Sequence, residues 1–289
     1  MKVFFVVNPN AGKKKALLLW SGLKRFIDIP YEFAITKGPG HATDIAIEAV
    51  KTGYKKIVAV GGDGTVREVV QALAYSESLL GVIPAGTGND FIRSVGIPRK
   101  PEKALEIIKN GSVSCIDLLK AGGNFFVNVV GAGLDAEVAD AVNKSMRLFN
   151  GTITYVAQLI KVLTFYAPKD VIIEIDGNTM KRRAWLVSVG NAKYYGSGMM
   201  ICPDARVDDG FLDVCIVNEL SKAELLRFLP RVFSGKHKNH PAYEVIKGKK
   251  VKIEFTPCAK VHADGDVIGN TPVEFSVEPG ALKVMTSKV

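Results

Sequence analysis

Cysteine and histidine are both scarce in this 289-residue chain, with four of each. Cys115, Cys202, Cys215 and Cys258 are scattered, form no C-x-x-C pair and have no histidine at ligand spacing. That excludes a zinc ribbon and a disulfide framework, and predicts buried free thiols in a reducing compartment. Long hydrophobic runs are also missing. The first apolar stretch, Val3 to Val7, ends in Asn-Pro and precedes its lysine cluster, the reverse of a signal peptide. No stretch approaches the roughly 18 apolar residues of a membrane-spanning helix. A cytoplasmic location with peripheral membrane contact is therefore expected. Acidic residues number 29 against 38 basic ones, a net charge of +9 that favours a nucleotide, a nucleic acid or an acidic membrane as partner. No interleaved aromatic and basic pattern offers base stacking, so nucleic acid is not expected.

What is present is organised in two textures. Up to about residue 112, apolar strand patterns alternate with helical ones: Lys2–Asn8, Tyr31–Thr36, Lys56–Val60 and Leu79–Ile83 as strands, Lys14–Ile27, His41–Lys51 and Thr65–Ala74 as helices. Apolar strands separated by helices predict an α/β domain with a mainly parallel sheet over residues 1–112. Residues 113–277 are dominated by strand-like segments: 115–120, 125–130, 171–175, 184–189, 211–217, 251–255 and 272–277. Helical patterns interrupt them at 134–142, 152–166 and 222–232. This half reads as a β-rich, sandwich-like domain, with the tail 278–289 returning to the first domain and a ligand cleft between the two.

The glycine-rich stretches NPNAG, TKGPG, GGDGT and PAGTGND each fall at the carboxyl end of an expected strand, where ligands bind in parallel sheets. In Gly61-Gly62-Asp63-Gly64-Thr65 the glycines permit a sharp strand-to-helix turn, and Thr65 with Glu68 matches a capping box. Those local rules leave Asp63 over. Exposed backbone N–H groups at a helix start attract phosphate, which a bare carboxylate would repel, so Asp63 points to Mg²⁺ between carboxylate and phosphate. Pro84-Ala85-Gly86-Thr87-Gly88-Asn89-Asp90 repeats the pattern, with Thr87 as hydroxyl, Asp90 as carboxylate, and Thr87 or Asn89 alternatively capping a helix. In Asn8-Pro9-Asn10-Ala11-Gly12-Lys13, Lys13 can serve as a point charge for phosphate or stand as one of three solvated lysines.

GGDGTVRE, followed by PAGTGNDF and preceded by NPNAG, resembles the diacylglycerol kinase catalytic-domain family, which includes bacterial lipid kinases and sphingosine kinases. "GAGLDAEV", "DDGFLDV" and "ADGD" extend the resemblance over essentially the whole chain. The resemblance implies ATP as cofactor. ATP would meet Asn8, Pro9, Asn10, Ala11, Gly12, Lys13, Thr36, the run Gly62, Asp63, Gly64, Thr65, Val66, Arg67 and Glu68, and then Thr87, Asn89 and Asp90. Mg²⁺ would associate with Asp63, and a second Mg²⁺ with Asp209 and the carbonyls of Arg206 and Phe211. Taken alone, that second stretch is an ordinary Asp-Gly turn. Asp264 and Asp266 resemble the family's D-G-E motif, which supplies the base beside the acceptor hydroxyl. Asp266 stands where Glu is usual, so either carboxylate can be the base, and each also fits a hairpin turn. Ala11 likewise replaces the hydroxyl of the usual NP-x-SG.

The partners implied are a lipid alcohol, an anionic membrane surface met peripherally, and a second copy in a homodimer. "TITYVAQLIKVLTFY" and "LLRFLPRVFSGKHK" offer apolar and basic surface for a membrane, or alternatively an interior helix and a solvated loop. Asp135 can meet a lipid headgroup or cap a helix. The expected activity is ATP- and Mg²⁺-dependent phosphorylation of a lipid hydroxyl, diacylglycerol first. The alternatives are an NAD kinase, which shares GGDGT, and a non-catalytic nucleotide- or lipid-binding regulator.

Overall fold

The apolar runs 3–7, 57–61 and 79–84 become buried parallel strands, because a strand covered on both faces has no polar side to present, whereas the half-exposed strand 31–35 carries Glu32. The computed structural model describes residues 2–145 and 151–287. The chain divides into two units, Met1–Leu118 with Pro279–Val289, and Leu119–Glu278.

In the first unit β1 (Val3–Val7), β2 (Tyr31–Ile35), β3 (Lys56–Gly61) and β4 (Leu79–Pro84) form a parallel sheet in the order β2-β1-β3-β4. Between and after them run α1 (Ala11–Leu23), α2 (His41–Lys51), α3 (Asp63–Leu73), α4 (Asp90–Ser94) and α5 (Pro101–Asn110). Phe5, Trp20, Ile57, Leu73, Leu80 and Ile83 are fully buried there. The helix expected over Lys14–Ile27 ends at Leu23 and opens in left-handed backbone, with φ of 58°, 58° and 69° at Gly12, Lys13 and Lys14.

In the second unit the elements are β5 (Ser112–Ala121, entering from the first), β6 (Asn124–Phe126), β7 (Val129–Gly133), α6 (Leu134–Lys144), α7 (Gly151–Phe165), β8 (Lys169–Ile175), β9 (Asn178–Gly190), β10 (Leu212–Asn218), α8 (Lys222–Val232), β11 (Tyr243–Gly248), β12 (Lys250–Thr256), β13 (Lys260–Ala263), β14 (Asp266–Asn270) and β15 (Val273–Thr286). The long β9 is the pivot. On one side its first half pairs with β8 and its second half with β7, and on the other side it pairs with β10, all antiparallel. From there the ladder continues through β13 to β14 and through β12 to β15. The end of β15 leaves this unit and pairs in parallel with β4, Lys283 beside Leu79.

Three local expectations need correction. The strand expected over 125–130 breaks at Val127–Asn128, where a side chain from another turn takes the backbone amides. Thr65 and Glu68 do not form a capping box. The helix starts earlier, with Gly62 at its N-cap and no side-chain cap; Thr65 is buried inside it, and Glu68 reaches another helix, its Oε2 accepting the Ala42 N–H at 3.0 Å. A complete capping box forms instead at Ser221 and Glu224, heading α8. Of the free cysteines only Cys202 and Cys215 are buried, whereas Cys115 and Cys258 are exposed.

Because Glu68 caps α2 rather than α3, Glu68→Ala should cost about 1 kcal/mol and lower amide hydrogen-exchange protection at Ala42 and Thr43. Loss of protection confined to the first turn of α3 would contradict this assignment.

Candidate active site

The glycines of the first unit are explained by how closely its loops approach. A Cβ on Gly86 would lie 2.4 Å from the Gly62 Cα, and one on Gly12 would lie 2.2 Å from the Ala85 carbonyl oxygen. Any side chain at these positions would therefore push the three loops apart. Side chains complete the fastening. Asn8 donates from Nδ2 to Thr65 Oγ1 at 2.9 Å, and its Oδ1 accepts the Asn10 N–H at 3.0 Å. Asn89, left-handed at φ 52°, exchanges two hydrogen bonds with the Gly86 backbone. Thr36 is buried, its N–H donating to Val7. Lys13, Asn10, Gly64 and Thr87 are exposed, while Pro9, Ala11, Arg67 and Asp63 are half-buried and Val66 and Asp90 buried.

Asp63 bridges two loops. Its Oδ1 accepts the Phe91 N–H at 3.0 Å, so this carboxylate caps the start of α4 from a different strand end. Burial raises its pKa, opposed by the backbone N–H groups of Phe91, Asp90 and Asn89. A carboxylate held partly out of water is one that a cation would stabilise, so Asp63 is the residue of this unit that would hold Mg²⁺. The N-terminus of α3 has no side-chain cap, which leaves its first amides suited to an anion.

In the second unit Asp264 and Gly265 form a two-residue hairpin between β13 and β14, both with positive φ (48° and 91°). The Asp264 carboxylate accepts the N–H groups of Val127, Asn128 and Val129 at 3.1, 3.0 and 3.3 Å, which ends β6 and starts β7. Asp266, two residues on, is exposed opposite Ala263. The Asp209 carboxylate accepts the Phe211 N–H at 3.1 Å through Oδ1 and Lys247 Nζ at 2.5 Å through Oδ2. Arg206 turns to Asp208, Nε to Oδ1 at 3.3 Å.

A further cluster was not evident from the motifs. Strand register places His262, Gly131 and Ser188 side by side across β13, β7 and β9. Gly131 leaves a gap in that row, and the Asp135 carboxylate of α6 fills it; a Cβ on Gly131 would lie 2.1 Å from Asp135 Oδ2. That oxygen accepts Ser188 Oγ at 2.7 Å and faces His262 Nε2 at 3.2 Å, while Oδ1 accepts the Ala136 N–H. All three side chains are buried, and the Tyr195 ring stacks on His262 with centroids 5.7 Å apart. Above this cluster α6, α7 and α8, with residues of β9, β10 and the 195–201 segment, line a partly open apolar pocket. Thirteen residues line it, among them Tyr155, Leu159, Met199, Leu225 and Phe228, and only Asp135 is charged. Alternation along β13 marks His262 as sharing a strand with the ADGD turn, but its neighbours Ser188 and Gly131 follow only from register.

Comparison with known proteins places these features in a family. The profile described as "Diacylglycerol kinase catalytic domain" matches residues 2–121, and that described as "YegS C-terminal NAD kinase beta sandwich-like domain" matches residues 128–286. A diacylglycerol kinase of Mycobacterium tuberculosis (strain ATCC 25618 / H37Rv) is 34% identical, with 98% of this chain and 94% of that one covered. One from Bacillus subtilis (strain 168) is 32% identical over 93% of this chain and 91% of its own. A crystal structure of a diacylglycerol kinase from Bacillus anthracis str. Sterne superimposes with a TM-score of 0.73 at 25% identity, covering 99% of this chain and 97% of that one. The chain belongs to the diacylglycerol kinase family and is a kinase, and its second unit is the β-sandwich-like domain of that family.

Removing the Asp264 carboxylate would orphan three backbone amides. Asp264→Ala should therefore lower stability by about 3 kcal/mol in urea denaturation. A midpoint unchanged from wild type would show that the clamp does not hold the 127–129 turn.

Proposed function

We propose that the protein transfers the γ-phosphoryl group of ATP to a lipid hydroxyl, with diacylglycerol as the favoured acceptor and phosphatidic acid as product. The observation that carries this reading is the apolar pocket with its one carboxylate. Such a lining suits an acyl chain whose polar end meets Asp135, and it offers little to the ribose and pyrophosphate of NAD.

The first unit binds the nucleotide. The amides at the start of α3 and the loops at Asn8–Lys13 and Gly86–Asn89 cradle phosphate, with Lys13 adding a point charge. Asp63 holds these loops in register and would hold Mg²⁺, which when bound offsets charge on the phosphoryl oxygens. The second unit binds the acceptor. Asp266, exposed and matching the family's glutamate by position, takes the hydroxyl proton as that oxygen bonds to the γ-phosphorus and the bond to ADP breaks. Asp264 positions the turn that presents Asp266, since its own oxygens are committed to the 127–129 amides.

The membrane side of the reading rests on α7 and α8. Ile153, Ile160, Phe165 and Leu226 are exposed on helices whose other faces line the pocket, and Lys161, Lys222, Arg227 and Arg231 are exposed beside them. Apolar side chains ringed by cations suit an anionic lipid surface. No helix among the described residues is long and apolar enough to cross a membrane.

Incubation with labelled ATP, Mg²⁺, diacylglycerol, a sphingoid base and NAD should put label into chloroform-extractable phosphatidic acid. Asp266→Asn should lower kcat about 100-fold or more while leaving the KM for ATP nearly unchanged. Label found only in NADP would favour the NAD kinase alternative, and wild-type kcat in the Asp266 variant would remove that residue from the chemistry.

A further inference from the structure

We infer that the second cation position expected at Arg206, Asp209 and Phe211 is filled in this chain by its own Lys247 ammonium rather than by a divalent metal.

Strand pairing fixes where the Lys247 backbone sits. β10 and β11 run antiparallel, with Leu212 beside Gly248, Asp213 beside Lys247 and Val214 beside Ile246. Lys247 is thus the direct cross-strand partner of Asp213, and its side chain, 43% exposed, starts beside that carboxylate. From there Nζ lies 2.5 Å from Asp209 Oδ2 and 3.8 Å from Asp213 Oδ2.

The two carboxylates need a positive charge between them. The Asp213 side chain is 2% exposed, and its Oδ2 has no hydrogen-bond partner. Asp209 is 18% exposed and lies on the same ammonium. Other cations of the neighbourhood are engaged elsewhere. Arg206 pairs with Asp208, Lys238 with Asp204, and Lys249 lies over the Phe211 ring at 5.2 Å.

Coordination chemistry points the same way. Magnesium requires a near-octahedral set of oxygens around a small ion. Here Oδ1 of Asp209 is committed to the Phe211 N–H and Oδ2 to Lys247. An incoming divalent ion would have to displace the ammonium and then lie beside its charge. An ammonium, with three donors and one charge, bonds to Asp209 and places its charge beside Asp213. The corner between β10 and β11 would then keep its shape without divalent metal. This inference does not rest on the kinase reading, because it concerns folding and metal binding alone.

Nucleotide-free protein tests it at constant ionic strength. Thermal unfolding of the wild type should shift by less than about 1 °C when millimolar MgCl₂ replaces NaCl. Lys247→Met should melt several degrees lower and recover with Mg²⁺ or Ca²⁺, because a ligand that binds only the folded form raises its melting temperature. The recovery should vanish in the Asp209→Asn/Lys247→Met double variant. Equilibrium dialysis with Mn²⁺ decides the matter without relying on the fold of any Lys247 variant, and wild type should show no bound ion that Asp209→Asn removes. One Mn²⁺ per wild-type chain, lost in Asp209→Asn, would overturn the inference. A Lys247→Met protein as stable as wild type and unaffected by Mg²⁺ would overturn it equally.

Discussion

A carboxylate that accepts backbone N–H groups from a loop distant in sequence is the interaction on which both units depend. Asp63 takes the Phe91 amide, Glu68 the Ala42 amide, and Asp264 the amides of Val127, Asn128 and Val129. Asp117 takes that of Gly280 at 2.8 Å, and Asp176 those of Lys249 and Lys250. Loops at strand ends carry amides that no ladder satisfies, and leaving one buried costs on the order of 1–3 kcal/mol. A side-chain carboxylate removes that cost and ties two chain segments together. It also decides which amides stay open. Asp63 satisfies the start of α4 and Glu68 the start of α2, whereas the start of α3 has no side-chain cap. The protein's own anions thus accept amides at the starts of α2 and α4, while α3 begins at Gly62 with Asp63 in its first turn.

Glycine placement follows from the same crowding. Gly62 and Gly86 face each other backbone to backbone, and Gly131 yields its side-chain volume to Asp135. In both places a missing Cβ lets a neighbour sit where a methyl would otherwise be. In the first unit that neighbour is the half-buried main chain of the facing loop. In the second it is a buried carboxylate with Ser188 and His262 as partners.

Much of this was legible in the sequence, and the boundary of legibility has a physical cause. Helical periodicity marked His41–Lys51 and Lys222–Val232 to the residue, because amphipathic spacing is a local property. GGDGT and PAGTGND marked loops at strand ends for the same reason. The Thr65–Glu68 capping box failed because the spacing that defines it says nothing about competitors, and Asn8 and Ala42 supplied better-placed partners. The Asp135 cluster was half legible. GAGLD singled out the carboxylate, but Ser188 lies 53 residues and His262 127 residues away, and only the β13-β7-β9 register assembles them.

The two departures from the family pattern act on different things. Ala11 lacks the hydroxyl usual at its position, yet the loop around it is shaped by other groups. Asn8 closes an Asx turn onto Asn10, the Ala11 N–H donates to the Asn8 carbonyl at 3.3 Å, and Gly12 packs against Ala85. The substitution therefore removes one potential ligand contact and leaves the backbone donors where they were. Asp266 sits instead on an exposed hairpin limb whose position is set one step away, by the Asp264 clamp. A side chain shorter by one methylene leaves that clamp untouched, so its effect is confined to reach. The same turn also carries His262, two residues before Asp264, into contact with Asp135. Asp266 and His262, the histidine that faces Asp135, are thereby built on one hairpin, and a shift of that hairpin would move both together.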